Sequence, residues 1–290
     1  MKQPIIKVGI LTNQQSAKFF LHGPFIINGT EKVDNAGFTV TVKGDNICLH
    51  QEEKIIDEQK EFIFKPKGKK SKFDIDNVII GIDFHWEQKE KETFEGELLI
   101  INRNGKLSMI NEIEVEKYLQ SVISSEMNAE SPYEYLRAHS IISRSWLLSQ
   151  LDETKNGTAK QHNFTLTENE IIKWYDREDH EDFDVCADDH CQRYQGVTKI
   201  RDNKALSAVK ETFGMILTYD GRVCDTRYSK CCGGFSEEFQ NVWQDNEVPY
   251  LKSTYDFDSS KFEIINSEEK AIEFISSQPE AYCNTKDPEL

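Results

Sequence analysis

Residues 111–151 constrain the fold more than any other stretch, because two helical periodicities run back to back there. In the first, Val115, Leu119, Val122 and Ile123 recur at helical spacing, and the same stripe continues onto Glu126. The second opens with Ser131 as N-cap, Pro132 at the first helical position and Glu134 completing a capping box. Its apolar side runs through Tyr133, Leu136, Ile141, Leu147, Leu148 and Leu151, and Arg144 falls on that side. Each helix therefore carries one charge where an apolar residue is expected. A charge in that position is costly unless it is paired or opens into a wet cleft. Glu126 and Arg144 thus either pair with each other as a structural bridge or line one pocket.

Immediately upstream, Asn104-Gly105 separates two runs, 96–101 and 106–110, the strongest short-range signal for a β-hairpin. That hairpin feeds into the helices, and a helix delivered from a sheet edge holds its side chains rigidly. Short β-branched or alternating runs at 5–11, 37–42, 61–64 and 77–84 predict further strands; the basic run 65–72 reads as a solvated turn. The expected fold class is α+β: a mixed, β-rich domain with a central helical hairpin, plus a small N-terminal β region. The boundaries are expected at 1–93 for that region, 94–256 for the main domain and 257–290 for a C-terminal helical segment. A polar insertion covers about 152–185 of the main domain, with a strand at 163–166 and a short helix at 168–175. Downstream, a helix is expected at 204–211, strands at 215–219 and 223–228 about Asp220-Gly221, and a charged helix at 267–277. No stop signal marks the last four residues, so the chain reads as part of a longer protein.

Composition narrows the partners. At 290 residues, 38% hydrophobic and 30% charged, the chain can bury a sizeable core under a polar surface, which excludes a membrane or disordered class. No apolar run approaches the ~20 residues of a membrane span. The N-terminus lacks the continuous apolar core of an export signal and reads as a strand. A net charge of −16 argues against nucleic acid and against an anionic membrane surface, and leaves a neutral or mixed-charge glycan compatible.

Seven cysteines is an odd number, so at least one cannot pair within the chain. Cys48 and Cys283 stand apart, while Cys186/Cys191 and Cys224/Cys231/Cys232 cluster. His180, Cys186, His190 and Cys191 supply two thiolates and two imidazoles, the number and softness of donors that tetrahedral zinc takes. With all four positions filled by protein, such a zinc is structural. Two other readings stand beside it: inert buried cysteines with surface histidines, or a disulfide from Cys186 or Cys191 to Cys231 or Cys232.

The segment also resembles the SpoIID/LytB family of sporulation and amidase-enhancer proteins. The matching residues are Tyr118-Leu119, Val122, Glu126-Met127, Leu136, Arg137-Ala138 and Ser143-Arg144, followed by Cys191-Gln192 and Tyr194-Gln195-Gly196. Then come Ala208-Val209, Thr212, Gly214 and Leu217, and last Tyr228-Ser229, Gly233-Gly234, Trp243 and Pro249-Tyr250-Leu251. The blocks fall in family order across residues 94–251. Asn128 stands where the family often has proline, and His139 where it has glutamine.

The resemblance implies a lytic transglycosylase that cleaves the MurNAc–GlcNAc β-1,4 bond of peptidoglycan glycan strands and closes a 1,6-anhydro ring. It implies Glu126 as general acid and then base, a role that an apolar helix face would favour by keeping the carboxyl protonatable. Arg144 then orients Glu126 or substrate, Tyr228 and Ser229 hold the sugar ring, and Gln192 and Tyr194 are further candidate substrate contacts. Some members carry a similar His/Cys cluster before the Gln-x-Tyr block that binds zinc, which strengthens the zinc reading. The alternative is a non-catalytic peptidoglycan-binding or amidase-enhancer module with a cell-wall amidase as partner. A peptidoglycan substrate would place the protein at the cell envelope.

Overall fold

In a computed structural model, the described residues are 3–82, 84–127, 130–156, 164–169, 171–173, 180–200, 203–229, 231–258 and 265–285. Among them, the strands before the first helix are β1 (Ile5–Gln14), β2 (Ser16–Ile27), β3 (Glu31–Lys43), β4 (Asn46–Gln51), β5 (Lys54–Gln59), β6 (Glu61–Pro66), β7 (Lys72–Ile80), β8 (Gln88–Phe94), β9 (Glu97–Arg103) and β10 (Lys106–Glu114). Then follow α1 (Val115–Glu126), α2 (Tyr133–Asn156), β11 (Phe164–Leu166), β12 (Ile171–Lys173), β13 (Val185–Cys186), α3 (Asn203–Glu211), β14 (Thr218–Tyr219), β15 (Arg222–Val223), α4 (Phe239–Val242) and α5 (Glu268–Ser276). This is an α+β protein. The chain divides into two compact units, Met1–Leu147 with Arg177–Ile216, and Leu148–Asp176 with Leu217–Leu290.

In the first unit, eleven strands among the described residues join one sheet, in the order β13-β1-β10-β9-β6-β2-β3-β4-β5, with β7 between β2 and β8. The pairings are antiparallel except the last one made, β1 with β13. The expected hairpin is there: Arg103 pairs with Lys106, and Asn104 and Gly105 take φ of 52° and 74°, a two-residue turn that only such residues enter cheaply. Alternate residues of these strands bury a phenylalanine-rich core, in which Phe19, Phe38, Phe62 and Phe64 meet with ring centroids 5.0–6.2 Å apart.

No seam falls at 93/94. The hairpin of β9 and β10 lies inside the sheet, flanked by β6 through Glu61↔Ile101 to Phe64↔Leu98 and by β1 through Ile5↔Glu114. Phe62, Phe64, Leu98 and Ile100 are all fully buried, so the N-terminal strands and the hairpin share one core rather than forming two regions.

On this sheet sits α1, with Val115, Tyr118, Leu119, Val122 and Ile123 buried as the periodicity requires. It packs against α3, whose Ala205, Ala208 and Val209 are small enough to let two helices approach closely. The buried side of α2 is less apolar than its leucines promise. Leu136 and Leu147 are fully buried, but Ser140, Ser143, Arg144 and Ser145 lie between them. The first helical bond of α2 runs from Leu136 N–H to the Pro132 carbonyl, while the Glu134 carboxylate pairs with Arg137 at 2.8 Å.

In the second unit, within the helix expected at 168–175, residues 168 and 169 form a bend and 171–173 form β12, which pairs with β11 from Leu166↔Ile171 to Phe164↔Lys173. Adjacent Ile171 and Ile172 are stiff at χ1 and favour extended backbone, and the second pairing strand decides the outcome; residues 174–175 lie outside the described residues. The strands about Asp220-Gly221 are only two residues each, with Asp220 and Gly221 at φ 50° and 76°. α5 starts where Ser267 accepts a hydrogen bond from Lys270 N–H.

Candidate metal centre and the helix end beside it

The residues 180–195 are laced onto β1. Asp184 N–H donates to the Lys7 carbonyl at 2.9 Å, Lys7 N–H donates back to Asp184 Oδ2 at 2.8 Å, and Ala187 N–H donates to Gly9 O at 2.9 Å. Val8 faces Val185 and Gly9 faces Cys186 in parallel register. Gly9 is required here: a Cβ on it would lie 2.6 Å from the Phe183 ring. Phe183 in turn stacks on His180, centroids 4.5 Å apart. One thiol and one imidazole are thereby fixed by the sheet before any ion is considered.

The four predicted ligands converge. One donor atom from each of His180, Cys186, His190 and Cys191 lies within 4.8 Å of the others, so the cluster could hold a metal ion. His180 Nε2 is 3.4 Å from Cys191 Sγ, and His190 Nδ1 is 3.7 Å from Cys191 Sγ and 3.9 Å from Cys186 Sγ. The Cys186 thiol is held far below the ordinary thiol range, first by its contact with Cys191 and then by His180 and His190, against the opposing effect of burial. His180, Cys186 and His190 face a cavity of about 640 Å³, lined further by Ile82 and Phe84.

Behind the cluster, the Asp188 carboxylate accepts from Gly81 N–H at 2.9 Å and Ile82 N–H at 2.8 Å, tying the loop to the β7–β8 connection. Arg193 pairs with Asp189 through two bonds of 2.8 and 2.6 Å and lies 5.0 Å over the Trp86 ring. The backbone N–H of that same Arg193 donates to Glu126 Oε1 at 2.6 Å. Glu126, half-buried at the last residue of α1, is thus gripped by the segment that carries the cysteines.

Of the predicted substrate contacts, three are core residues instead. Arg144 is 1% exposed; its guanidinium meets Glu116 Oε1 and Oε2 at 2.8 Å each and donates to the carbonyls of Ser140, Met215 and Val209. Its ion pair is therefore with Glu116 rather than Glu126. Tyr194, 1% exposed, donates to Asn111 Oδ1 at 2.6 Å and stacks on Tyr118 at 5.1 Å; burial pushes its hydroxyl pKa up. Gln192, 1% exposed, accepts from Tyr118 Oη at 3.2 Å and donates to Ser143 O at 3.3 Å. None of these three presents surface to a glycan. Tyr228, half-buried, and Ser229, exposed, belong to the second unit. There Trp243 lies under the Arg227 guanidinium at 4.4 Å, and the Tyr250 hydroxyl accepts from Asp225 N–H at 3.1 Å. The disulfide readings between Cys186 or Cys191 and Cys231 or Cys232 are not realised, all seven cysteines being free.

Several residues that matter escaped the sequence reading. Glu116 lies on the same helical stripe as Leu119 and Ile123, seven residues before the latter, which is the signal that it faces inward. Asn111, fully buried, donates to the Glu95 and Glu97 carbonyls at 2.9 and 3.0 Å. Glu92, also fully buried, accepts from Gln195 Nε2 at 2.8 Å, while its other oxygen has no hydrogen-bond partner. Burial pushes its pKa up to about 7. His139, 2% exposed, is pushed the other way by burial, to about 4. It therefore stands neutral at physiological pH where the resemblance would have a neutral glutamine.

Comparison with known proteins matches residues 103–219 to the model of the SpoIID family, described as stage II sporulation protein. An uncharacterized protein of Brachyspira hyodysenteriae is 27% identical over 158 residues, 54% of this chain and 36% of the relative. A stage II sporulation protein D of Bacillus amyloliquefaciens is 23% identical over 144 residues, 50% of this chain and 39% of the relative. The chain thus matches well under half the length of either relative.

Proposed function

We propose that this chain is a peptidoglycan lytic transglycosylase with Glu126 as its acid and base; the match of residues 103–219 to the SpoIID family model and the similarity to a stage II sporulation protein D support a cell-wall role. The carboxyl protonates the departing glycosidic oxygen, then takes the proton of the sugar's own C6 hydroxyl as that oxygen closes on C1. One carboxyl serves both steps in turn, so the second carboxylate of a hydrolase pair is not needed. The observation that carries this reading is the grip on Glu126. It sits half-buried at a helix end, with one oxygen fixed by Arg193 N–H at 2.6 Å from the metal-loop side. A backbone donor on that oxygen restrains the carboxyl's orientation, which favours proton transfer to a defined atom.

The metal in this reading is zinc, and the donor set fits it. Zinc–sulfur and zinc–nitrogen bonds of about 2.3 and 2.0 Å at tetrahedral angles separate the donors by roughly 3.6 Å. Three of the four sulfur–nitrogen distances here are 3.4–3.9 Å, and all four donors lie within 4.8 Å of one another. His180, Cys186, His190 and Cys191 would hold the ion as a structural tie, and the chemistry it supplies is fixation of the 180–193 segment.

The test is incubation of the chain with peptide-free glycan strands, followed by mass spectrometry. Wild type is expected to release 1,6-anhydro products and Glu126→Gln to release none while keeping its circular dichroism. Unchanged turnover by Glu126→Gln removes that residue from the reaction. Burial of Arg144, Gln192 and Tyr194 leaves fewer groups to strain a sugar ring and favours a second reading, a module that binds glycan or stimulates a wall amidase. Strand binding by wild type without anhydro products selects that reading.

A further inference from the structure

In the second unit, the loop bearing Cys231 and Cys232 turns through Gly233 and Gly234, both at positive φ, and meets the C-terminal stretch there. Asp256 N–H donates to Gly234 O at 2.9 Å, and Tyr282 N–H donates to Asp256 O at 3.2 Å. A Cβ on Gly234 would come within 3.0 Å of Ala281. These contacts bring Cys283 to the adjacent Cys231 and Cys232 at one cavity of about 270 Å³, lined also by Ser229 and Asp256 among others. Cys231 and Cys283 are exposed and line this same cavity. Cys232 is engaged elsewhere, its thiol donating to Asp256 Oδ2 at 3.4 Å.

We propose that Cys231 and Cys283 form a disulfide that fastens residues 281–285 to the loop carrying Tyr228 and Ser229. The pairing follows from the geometry. A vicinal Cys231–Cys232 bond would bridge Cα atoms held about 3.8 Å apart by one trans peptide, short of the roughly 4.4 Å at which disulfides begin. The Cys283 side chain has no such restriction. The oxidant is a low-molecular-weight disulfide. One protein thiolate attacks a sulfur of oxidised glutathione and expels one glutathione thiolate. The second protein thiolate attacks the mixed disulfide and expels the other. Two protein thiols and one oxidised glutathione thus become one protein disulfide and two reduced glutathiones. Cys232 keeps its thiol.

The experiment uses the full chain loaded with zinc, equilibrated in oxidised or reduced glutathione, then denatured, alkylated and mapped by mass spectrometry. Of seven thiols, oxidation is expected to leave five open to alkylation (seven less the joined pair), with Cys231 and Cys283 found in one cross-linked peptide. Oxidised wild type should melt higher than reduced, and Cys283→Ser and Cys231→Ser should both lack that shift. Finding Cys283 alkylated after oxidation, or joined to Cys232 instead, overturns the assignment. The wild-type map needs no variant to fold, and a disulfide between Cys186 and Cys191 is read separately by the same map.

Discussion

Arg144 and Glu116 illustrate how a charge pair behaves when one partner is fully buried and the other nearly so. With the guanidinium 1% exposed and bonded to both carboxylate oxygens, each group is the other's only counter-charge among the described residues. Removing one strands the other under cover. Arg144→Met alone is therefore expected to destabilise by about 3–5 kcal/mol in urea unfolding. The pair Arg144→Met with Glu116→Leu should recover most of that loss, because both desolvation penalties vanish together. Equal destabilisation by single and double variants would show that packing, not charge, is at stake. Sequence patterning located the arginine as an inward-facing charge. It could not choose the partner, since Glu116 and Glu126 both lie along the α1 stripe and only the bend of the chain between the helices decides which one faces Arg144.

At the scale of elements, the candidate metal loop is held by two independent means: its hydrogen bonds to β1 and the convergence of four donors. Chelation, or Cys186→Ser, should therefore lower the melting temperature by at least several degrees without abolishing the fold. Unaltered melting with no metal on elemental analysis would refute the site. What was legible in the sequence at this scale followed from local chemistry. Asn104-Gly105 dictates its turn and the α1 stripe its helix. The His/Cys cluster that could hold a metal was legible because donor identity is local too. β2, β4, β5 and β8 were missed for a different reason. β5 and β8 are largely polar and exposed, and such strands exist because a neighbour pairs them, which is information held elsewhere in the chain. The same non-local pairing turned residues 171–173 from helix to strand and erased the boundary at 93/94. Arg144, Gln192 and Tyr194 looked like substrate contacts because a polar residue's motif does not tell whether it is buried as scaffold or exposed as a ligand.

For the molecule as a whole, two buried titrating groups act against each other. Glu92 is raised from 4.5 to about 7, so between those values the unfolded chain releases a proton that the folded one keeps, and stability falls as pH rises. His139 is lowered from 6.5 to about 4, so between those values the unfolded chain takes a proton that the folded one refuses, and stability falls as pH falls. Each contributes about 3 kcal/mol over its window, and the windows overlap from 4.5 to 6.5 with opposite slopes. Glu92→Gln should expose the histidine's slope, becoming more sensitive to acid than wild type while gaining stability at pH 8. His139→Gln should expose the opposite slope and tolerate acid better. Urea unfolding at pH 4.5, 6.5 and 8 checks both; variants with the wild-type pH profile would show that these groups titrate normally in the fold.

The parallel pairing of β1 with β13 has a consequence in time. Lys7 and Asp184 meet across 177 residues of chain. During synthesis the first strand emerges with a bare flank, and that flank stays open to any passing backbone until the tail end of the first unit leaves the ribosome. The candidate metal cradle is accordingly among the last parts of the first unit to close, and nascent chains carry an unguarded edge until it does.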